Sequence, residues 1–244
     1  MTFETLVPYL IEWAAILGLT LLASTSSRFK HPRVTFNYAR REGIGALILG
    51  GFALLVGAGW YFLHPIQVEL VDERLSQLVL GLIVASLVAL IFYSALRGRK
   101  QKLFTAGWLP GMLKAGLLFG ISIGILLIFL AGKFMGILDG LTSSEIISLG
   151  ILLAMAIMEE SIFRGYIQCR LEAWLGGRVG WLLVAGLWVL WSLPAMWVFG
   201  LLTPINLVVM IVRGLIAGWV MQKAGHALAP AFYRAFAIWL MFLQ

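Results

Sequence analysis

Two adjacent carboxylates, Glu159 and Glu160, stand with Arg164 in a stretch whose other residues are largely apolar. Charge inside a membrane is costly and rare, so each such residue is a candidate for function. On a helix, neighbours point about 100° apart, so Glu159 and Glu160 cannot both face one partner. Glu160 precedes Arg164 by one turn, the spacing of a helical ion pair, which leaves Glu159 to face something else. A carboxylate partly withdrawn from water is what a general base acting on a water molecule needs. The competing reading is structural: the two glutamates neutralise Arg164 and Arg213 or Arg234 and hold the helices together. Glu12, Arg213 and Arg234 are the other charges expected inside apolar helices.

The elements that must position these groups are membrane helices. The chain is 61% apolar and 12% charged, with a mean hydropathy of +0.98, too little polar surface for a soluble domain. Apolar stretches of about 20 residues, each enough to cross about 30 Å of hydrocarbon, recur between charge clusters. Backbone groups in lipid must be satisfied internally, so the spans are helical. The expected fold is an all-α polytopic transmembrane bundle of about eight helices, with residues 1–244 as a single membrane-embedded domain. The predicted spans are Leu6–Ala23, Ile44–Leu63, Leu78–Leu96, Ala115–Ala131, Ile146–Glu172, Trp181–Phe199, Ile205–Met221 and Ala227–Leu243. The fifth is longer than a bilayer requires. Its second half, Arg164 to Glu172, is expected to run along the cytoplasmic interface and to stop at Gly176 and Gly177. Leu6 has no basic region before it, so the first stretch reads as a retained helix rather than a cleaved signal.

Basic residues set the expected orientation. Arg28, Lys30, Arg33, Arg40 and Arg41 fall between the first two spans, and Arg97, Arg99, Lys100, Lys102 and Lys114 between the third and fourth. Arg164, Arg170 and Arg178 follow the fifth span, and Lys223 the seventh, whereas the other loops hold Glu69, Asp72, Glu73 and Asp139, with Arg74 and Lys133. The positive-inside rule then predicts both termini on the non-cytoplasmic side. The net charge of +7 is accounted for by this topology and by contact with anionic membrane lipid, so nucleic acid is not an expected partner. Six tryptophans near span ends (Trp13, Trp60, Trp108, Trp174, Trp181 and Trp197) read as an interfacial belt. The single cysteine, Cys169, makes no disulfide framework and reads as an ordinary helix residue.

The segment Met158-Glu159-Glu160-Ser161-Ile162-Phe163-Arg164-Gly165-Tyr166-Ile167 resembles the first motif of the CAAX-protease and bacteriocin-processing family: two glutamates, three residues, then arginine and often glycine. Leu171 and Gly176 fit the usual continuation. The resemblance implies an intramembrane protease fold in which Glu159 activates water for peptide hydrolysis and Glu160 and Arg164 support it. Trp188-Val189-Leu190-Trp191-Ser192-Leu193-Pro194 resembles the second motif, with Ser192 in the slot of its histidine. In the third, around Ala229 to Ala235, Arg234 or Ala235 takes the histidine slot and Ile238 or Trp239 the asparagine slot, and His226 lies two turns too early. Set against the family, the glutamate arm is present and the histidine arm is not. Losing one oxyanion donor typically costs about 10²–10³ in rate. Arg234 could supply that charge, and Ser192 could hold a water. The plain alternatives are an ion pair of Arg234 with Glu159, and Ser192 easing a kink at Pro194.

Other chemistries find little support. The three histidines include His31 and His64 on opposite faces, there is no His-Glu-x-x-His, and no Gly-x-Ser-x-Gly occurs, so neither a zinc site nor a serine hydrolase is expected. No cofactor or metal is implied. Three functions remain. The first is a glutamate-dependent intramembrane endopeptidase acting on membrane-associated or lipid-anchored peptides, with its site near the cytoplasmic leaflet. The second is a non-catalytic relative binding a lipid, a peptide or a partner membrane protein. The third, weaker reading is a transporter with a relay of charges.

Overall fold

The computed structural model describes residues 6–29, 34–63, 73–241 and 243, and these form the expected all-α bundle. The helices are α1 (Val7–Thr25), α2 (Ala39–Leu63), α3 (Glu73–Gly98), α4 (Leu113–Leu130), the short α5 (Phe134–Asp139), α6 (Ser143–Glu160), α7 (Cys169–Leu175), α8 (Gly177–Val198), α9 (Pro204–Ala224) and α10 (Leu228–Trp239). Between α6 and α7, Ser161–Gln168 is wound as a π-helix, so the chain continues without a break. Among the described residues, 7 segments are long and apolar enough to cross a membrane, with Ser143–Leu175 counting as one.

Local signals start and stop these helices. The Thr142 hydroxyl accepts from the Glu145 amide at 3.3 Å, and the Glu145 carboxylate accepts from the Thr142 amide at 2.7 Å. This reciprocal capping box satisfies amides that the first turn of α6 cannot pair. Gly176 (φ 86) ends α7 and Gly225 (φ 65) ends α9, in conformations costly for residues with a Cβ.

Two expectations are corrected. The eighth span, Ala227–Leu243, is instead the 12-residue α10, whose rise of about 18 Å falls short of the hydrocarbon thickness. It is sunk among α4, α6 and α9, with Ala229, Ala231, Tyr233, Ala235 and Trp239 buried. Nor does Arg164–Glu172 lie along an interface: Arg164, Ile167, Arg170 and Leu171 are all 0% exposed. Arg164 and Arg170 are therefore core groups, not loop charges. Two belt tryptophans also turn inward. Trp108 donates to the Ser161 hydroxyl (2.9 Å) and Trp181 to the Leu215 carbonyl (2.8 Å). Lys30, His31, Arg33, His64, Glu69 and Asp72 lie outside the described residues. Of the remaining basic loop positions, Arg40, Arg99, Lys102, Arg178 and Lys223 fall at one end of the bundle, where Glu42 of α2 meets Arg99, Gln101 and Arg170 and Gln222 of α9 reaches Gly177, whereas Lys133 follows α4 at the other end.

Arg170 ties three elements together at that end. Its Nε meets Glu42 of α2 at 3.1 Å, and Nη1 donates to the carbonyls of Thr105 and Tyr166, each at 3.0 Å. Its Nη2 donates to the Gln101 side chain. A guanidinium with four of its five N–H groups hydrogen-bonded tolerates such burial where a bare one would not.

Close helix contact explains where α10 sits. A Cβ on Gly116, Gly120 or Gly124 of α4 would come within 2.7 Å of His226, 2.9 Å of Phe232 or 2.7 Å of Phe236, respectively. Glycines four residues apart cut a groove for the rings of α10, as small residues do at membrane helix interfaces. Gly120→Val should push α10 outward and cost about 2 kcal/mol, within the range for overpacked cores. Gly150→Ala, on a face with nothing within 4 Å, should cost nothing. Unfolding midpoints of both variants in detergent would check this.

Candidate intramembrane ion-pair site

Glu159 and Glu160 end the α-wound part of α6, and Arg164 lies in the π-wound turn that follows. The Ser161 hydroxyl donates back to the Ile157 carbonyl at this junction. π-Wound turns are rare and occur often at functional sites. The Arg164 turn is held against the loop before α4 by two glycines. A Cβ on Gly165 would lie 2.0 Å from the Ala106 carbonyl oxygen, and one on Gly107 (φ 77) would lie 2.7 Å from the Gly165 Cα.

The charges form a continuous row. Arg164 Nε meets Glu160 Oε2 at 3.2 Å, both side chains wholly buried, and its Nη2 donates to the Gly214 carbonyl of α9 at 2.8 Å. Arg234 of α10 donates through Nη1 to Glu159 Oε2 in a direct ion pair, and the same nitrogen is 3.8 Å from Glu160 Oε1. Both guanidiniums lie over the Trp188 ring of α8, with Cζ of Arg234 at 4.9 Å and of Arg164 at 5.8 Å from its centroid. A cation over an indole face is attracted by the ring quadrupole. A Cβ on Gly214 would come within 2.9 Å of that ring, so α9 leaves space for it.

The sequence-level pairing of Glu160 with Arg164 is present, and Glu159 faces Arg234. Arg213 does not join this row. It holds Glu12 of α1 bidentately, at 2.9 and 2.6 Å, and the Tyr233 hydroxyl donates to the same carboxylate at 2.8 Å. Ser192 donates to the Trp188 carbonyl one turn back (3.0 Å), two residues before Pro194, which matches its plainer role within the helix. The sequence reading missed Tyr233 as a partner of Glu12. A hydroxyl beside Arg234 in an apolar stretch was the available signal.

Glu159, Glu160, Ser192, Arg213 and Arg234 all line one cavity of about 480 Å³, and Arg164 does not. The rest of its wall is mainly apolar, with Leu78, Met155, Trp191, Met196, Phe199 and Val209. The cavity reaches Tyr61, Gln77 and Asn206, at the end of the bundle opposite the basic loops. This differs from a site set towards the basic, expected cytoplasmic, side. No histidine is among its lining residues. Among the described residues, no three His, Cys, Asp or Glu side chains gather where they could hold a metal.

His226 sits outside this site, just before α10. It is 1% exposed, packs edge-on to Trp108 at 5.1 Å, and its Nδ1 accepts from the Leu228 amide at 3.2 Å. Burial pushes its imidazole down to about 4.

Fold and site together define a multi-pass integral membrane protein whose buried carboxylates are matched by arginines around a central cavity. The model of the Rce1-like type II CAAX prenyl endopeptidases matches residues 141–240, and the resemblance to the CAAX-protease-like family is upheld over that stretch. The match covers α6 to α10 and every candidate residue except Glu12. None of the curated proteins and none of the solved structures matches the chain.

Removing one partner of a buried ion pair leaves an uncompensated charge, so Arg234→Met should destabilise by about 3 kcal/mol. The double variant Glu159→Gln/Arg234→Met should recover more than half of that loss, giving a coupling of about 1 kcal/mol or more in a double-mutant cycle of detergent unfolding. The His226 imidazole is neutral when folded, but the unfolded chain binds a proton below about 6.5. Its contribution is therefore complete above that pH and is lost as pH falls towards 4. Unfolding midpoints of the native chain should fall relative to His226→Asn between pH 7 and 4.5, because the asparagine oxygen can accept from Leu228 without titrating.

Proposed function

We propose that this protein is a CAAX-protease-like membrane protein that binds an amphiphile of the lipid-anchored-peptide class in its central cavity without hydrolysing it. The observation that carries this reading is the Arg234–Glu159 ion pair. A general base must present an oxygen to water, and the hydrolytic step needs free donors where the oxyanion develops. Here a guanidinium occupies one Glu159 oxygen, and Arg234 stands in the region where the family supplies histidine. The Ser192 hydroxyl is spent within its own helix. What remains is a mainly apolar cavity with a polar inner end, the usual character of a site that holds an amphiphile.

One observation favours a second reading. Glu159 and Arg234 face the same cavity, so a substrate carbonyl that drew Arg234 away would leave the carboxylate and the guanidinium in the roles of base and oxyanion partner. Membrane-proteome N- and C-termini from cells with the native chain, with Glu159→Gln at matched expression, and with no chain separate the two. The binding reading expects identical termini in native and Glu159→Gln cells, with a photoactivatable lipopeptide crosslinking to both. Termini that appear only with the native chain would establish hydrolysis by Glu159.

A further inference from the structure

Two cavities approach the ion-pair row from opposite ends of the bundle. One, of about 1160 Å³, is walled by Phe36, Gly107, Arg178, Trp219 and Lys223 at the end that carries the basic loops, and it also touches Arg164. The other, of about 480 Å³, runs from Tyr61, Gln77 and Asn206 at the opposite end to Glu159, Glu160 and Arg234. They share no lining residue. Glu160 belongs to one wall and Arg164 to the other, and both side chains are wholly buried. This ion pair is therefore part of the partition, and a ligand in the basin at the basic end does not reach Glu159.

The inner end of the smaller cavity has unspent donors. Trp188 Nε1 and Arg234 Nε are buried without an acceptor, and Glu160 Oε1, facing Arg234 Nη1 at 3.8 Å, is buried without a donor; Trp188 is only 6% exposed. Leaving a buried N–H unpaired costs about 1–3 kcal/mol, and native proteins usually fill such positions with a ligand or water. The two donors belong to touching side chains, since Arg234 lies over the Trp188 ring. The row around them holds two glutamates and two arginines, so its formal charge is zero. Such a site suits a neutral acceptor better than a carboxylate, which would face Glu159 and Glu160.

We infer that the central cavity takes its ligand from the face opposite the basic loops, and that this ligand is an acyl ester or amide. Its carbonyl accepts from Trp188 and Arg234, and its chain lies along Met155, Met196 and Val209. This rests on the central cavity being the binding site. An acylglycerol and an acylated peptide present the same carbonyl and chain, so the two sources are compared directly.

The test uses the full-length chain in sealed vesicles of both orientations, with Cys169→Ala removing the native thiol. Ser192→Cys reports on the cavity and Lys102→Cys on the basic loops, each probed with a membrane-impermeant thiol reagent. Ser192→Cys should react only from the face where Lys102→Cys does not. Reaction from the same face as Lys102→Cys, or only after detergent solubilisation, overturns the inference. Monopalmitoylglycerol or an N-palmitoylated tetrapeptide should slow labelling of Ser192→Cys, and whichever protects identifies the source. Adding Trp188→Phe, which keeps a ring but removes the N–H, should raise the protecting concentration roughly tenfold. Protection by neither probe, or unchanged protection with Trp188→Phe, overturns the ligand assignment. The reacting face needs no ligand, so a reversed face sinks this inference while leaving binding intact. Termini dependent on Glu159 would instead sink the binding-only reading and leave the reacting face unaffected.

Discussion

A guanidinium inside a membrane bundle is tolerated only where a carboxylate neutralises it, and the architecture follows from meeting that condition four times. Arg164 pairs with Glu160, Arg234 with Glu159, Arg213 with Glu12 and Arg170 with Glu42. Each contact also joins elements. Arg234 fastens α10 to α6, Arg213 fastens α9 to α1, and Arg170 fastens the α7 turn to α2 and to the loop before α4. Arg164 pairs within its own helix but spends Nη2 on the α9 carbonyl of Gly214. Between helices already surrounded by lipid there is no bulk hydrophobic force to rank one arrangement above another. Matched charge and close glycine contact supply that ranking.

The same condition limits the chemistry. A carboxylate that neutralises an arginine in the core is held in place and offers fewer lone pairs to a water. Glu160 is enclosed completely, and Glu159 meets the cavity with Arg234 already against it. The π-wound turn, the Gly165–Gly107 contact and the Trp188 ring packed against both guanidiniums all fix the row in position. On the binding reading proposed above, a fixed, neutral row at the inner end of a mainly apolar cavity is suited to recognising shape and hydrogen-bond acceptors. For it to attack a carbonyl, its strongest internal contact would first have to open.

Much of this was legible without coordinates. Hydropathy alone located seven of the spans to within a few residues, because lipid leaves the backbone no alternative to a helix. The spacing of Glu160 and Arg164 announced their pair, because a helical turn is a local geometry. The eighth span misled because α10 is as apolar as its neighbours. Its residues are shielded by other helices rather than by lipid, and hydropathy does not distinguish the two. Arg164 and Arg170 misled for a related reason: near a helix end they read as loop charges, until their partners are known.

The sequence by itself thus determined a helical membrane protein, the end of each helix that carries its basic residues, and the presence of carboxylates and arginines among apolar residues. Only the tertiary structure decided which charge meets which. Glu12 and Arg213 are 201 positions apart and Glu159 and Arg234 are 75 apart, and no helical periodicity spans such distances. It likewise decided that the glutamates face a cavity open away from the basic loops, with an ion pair between that cavity and the basin beyond. A cavity is what several helices leave unfilled when they pack, and no one of them encodes it alone.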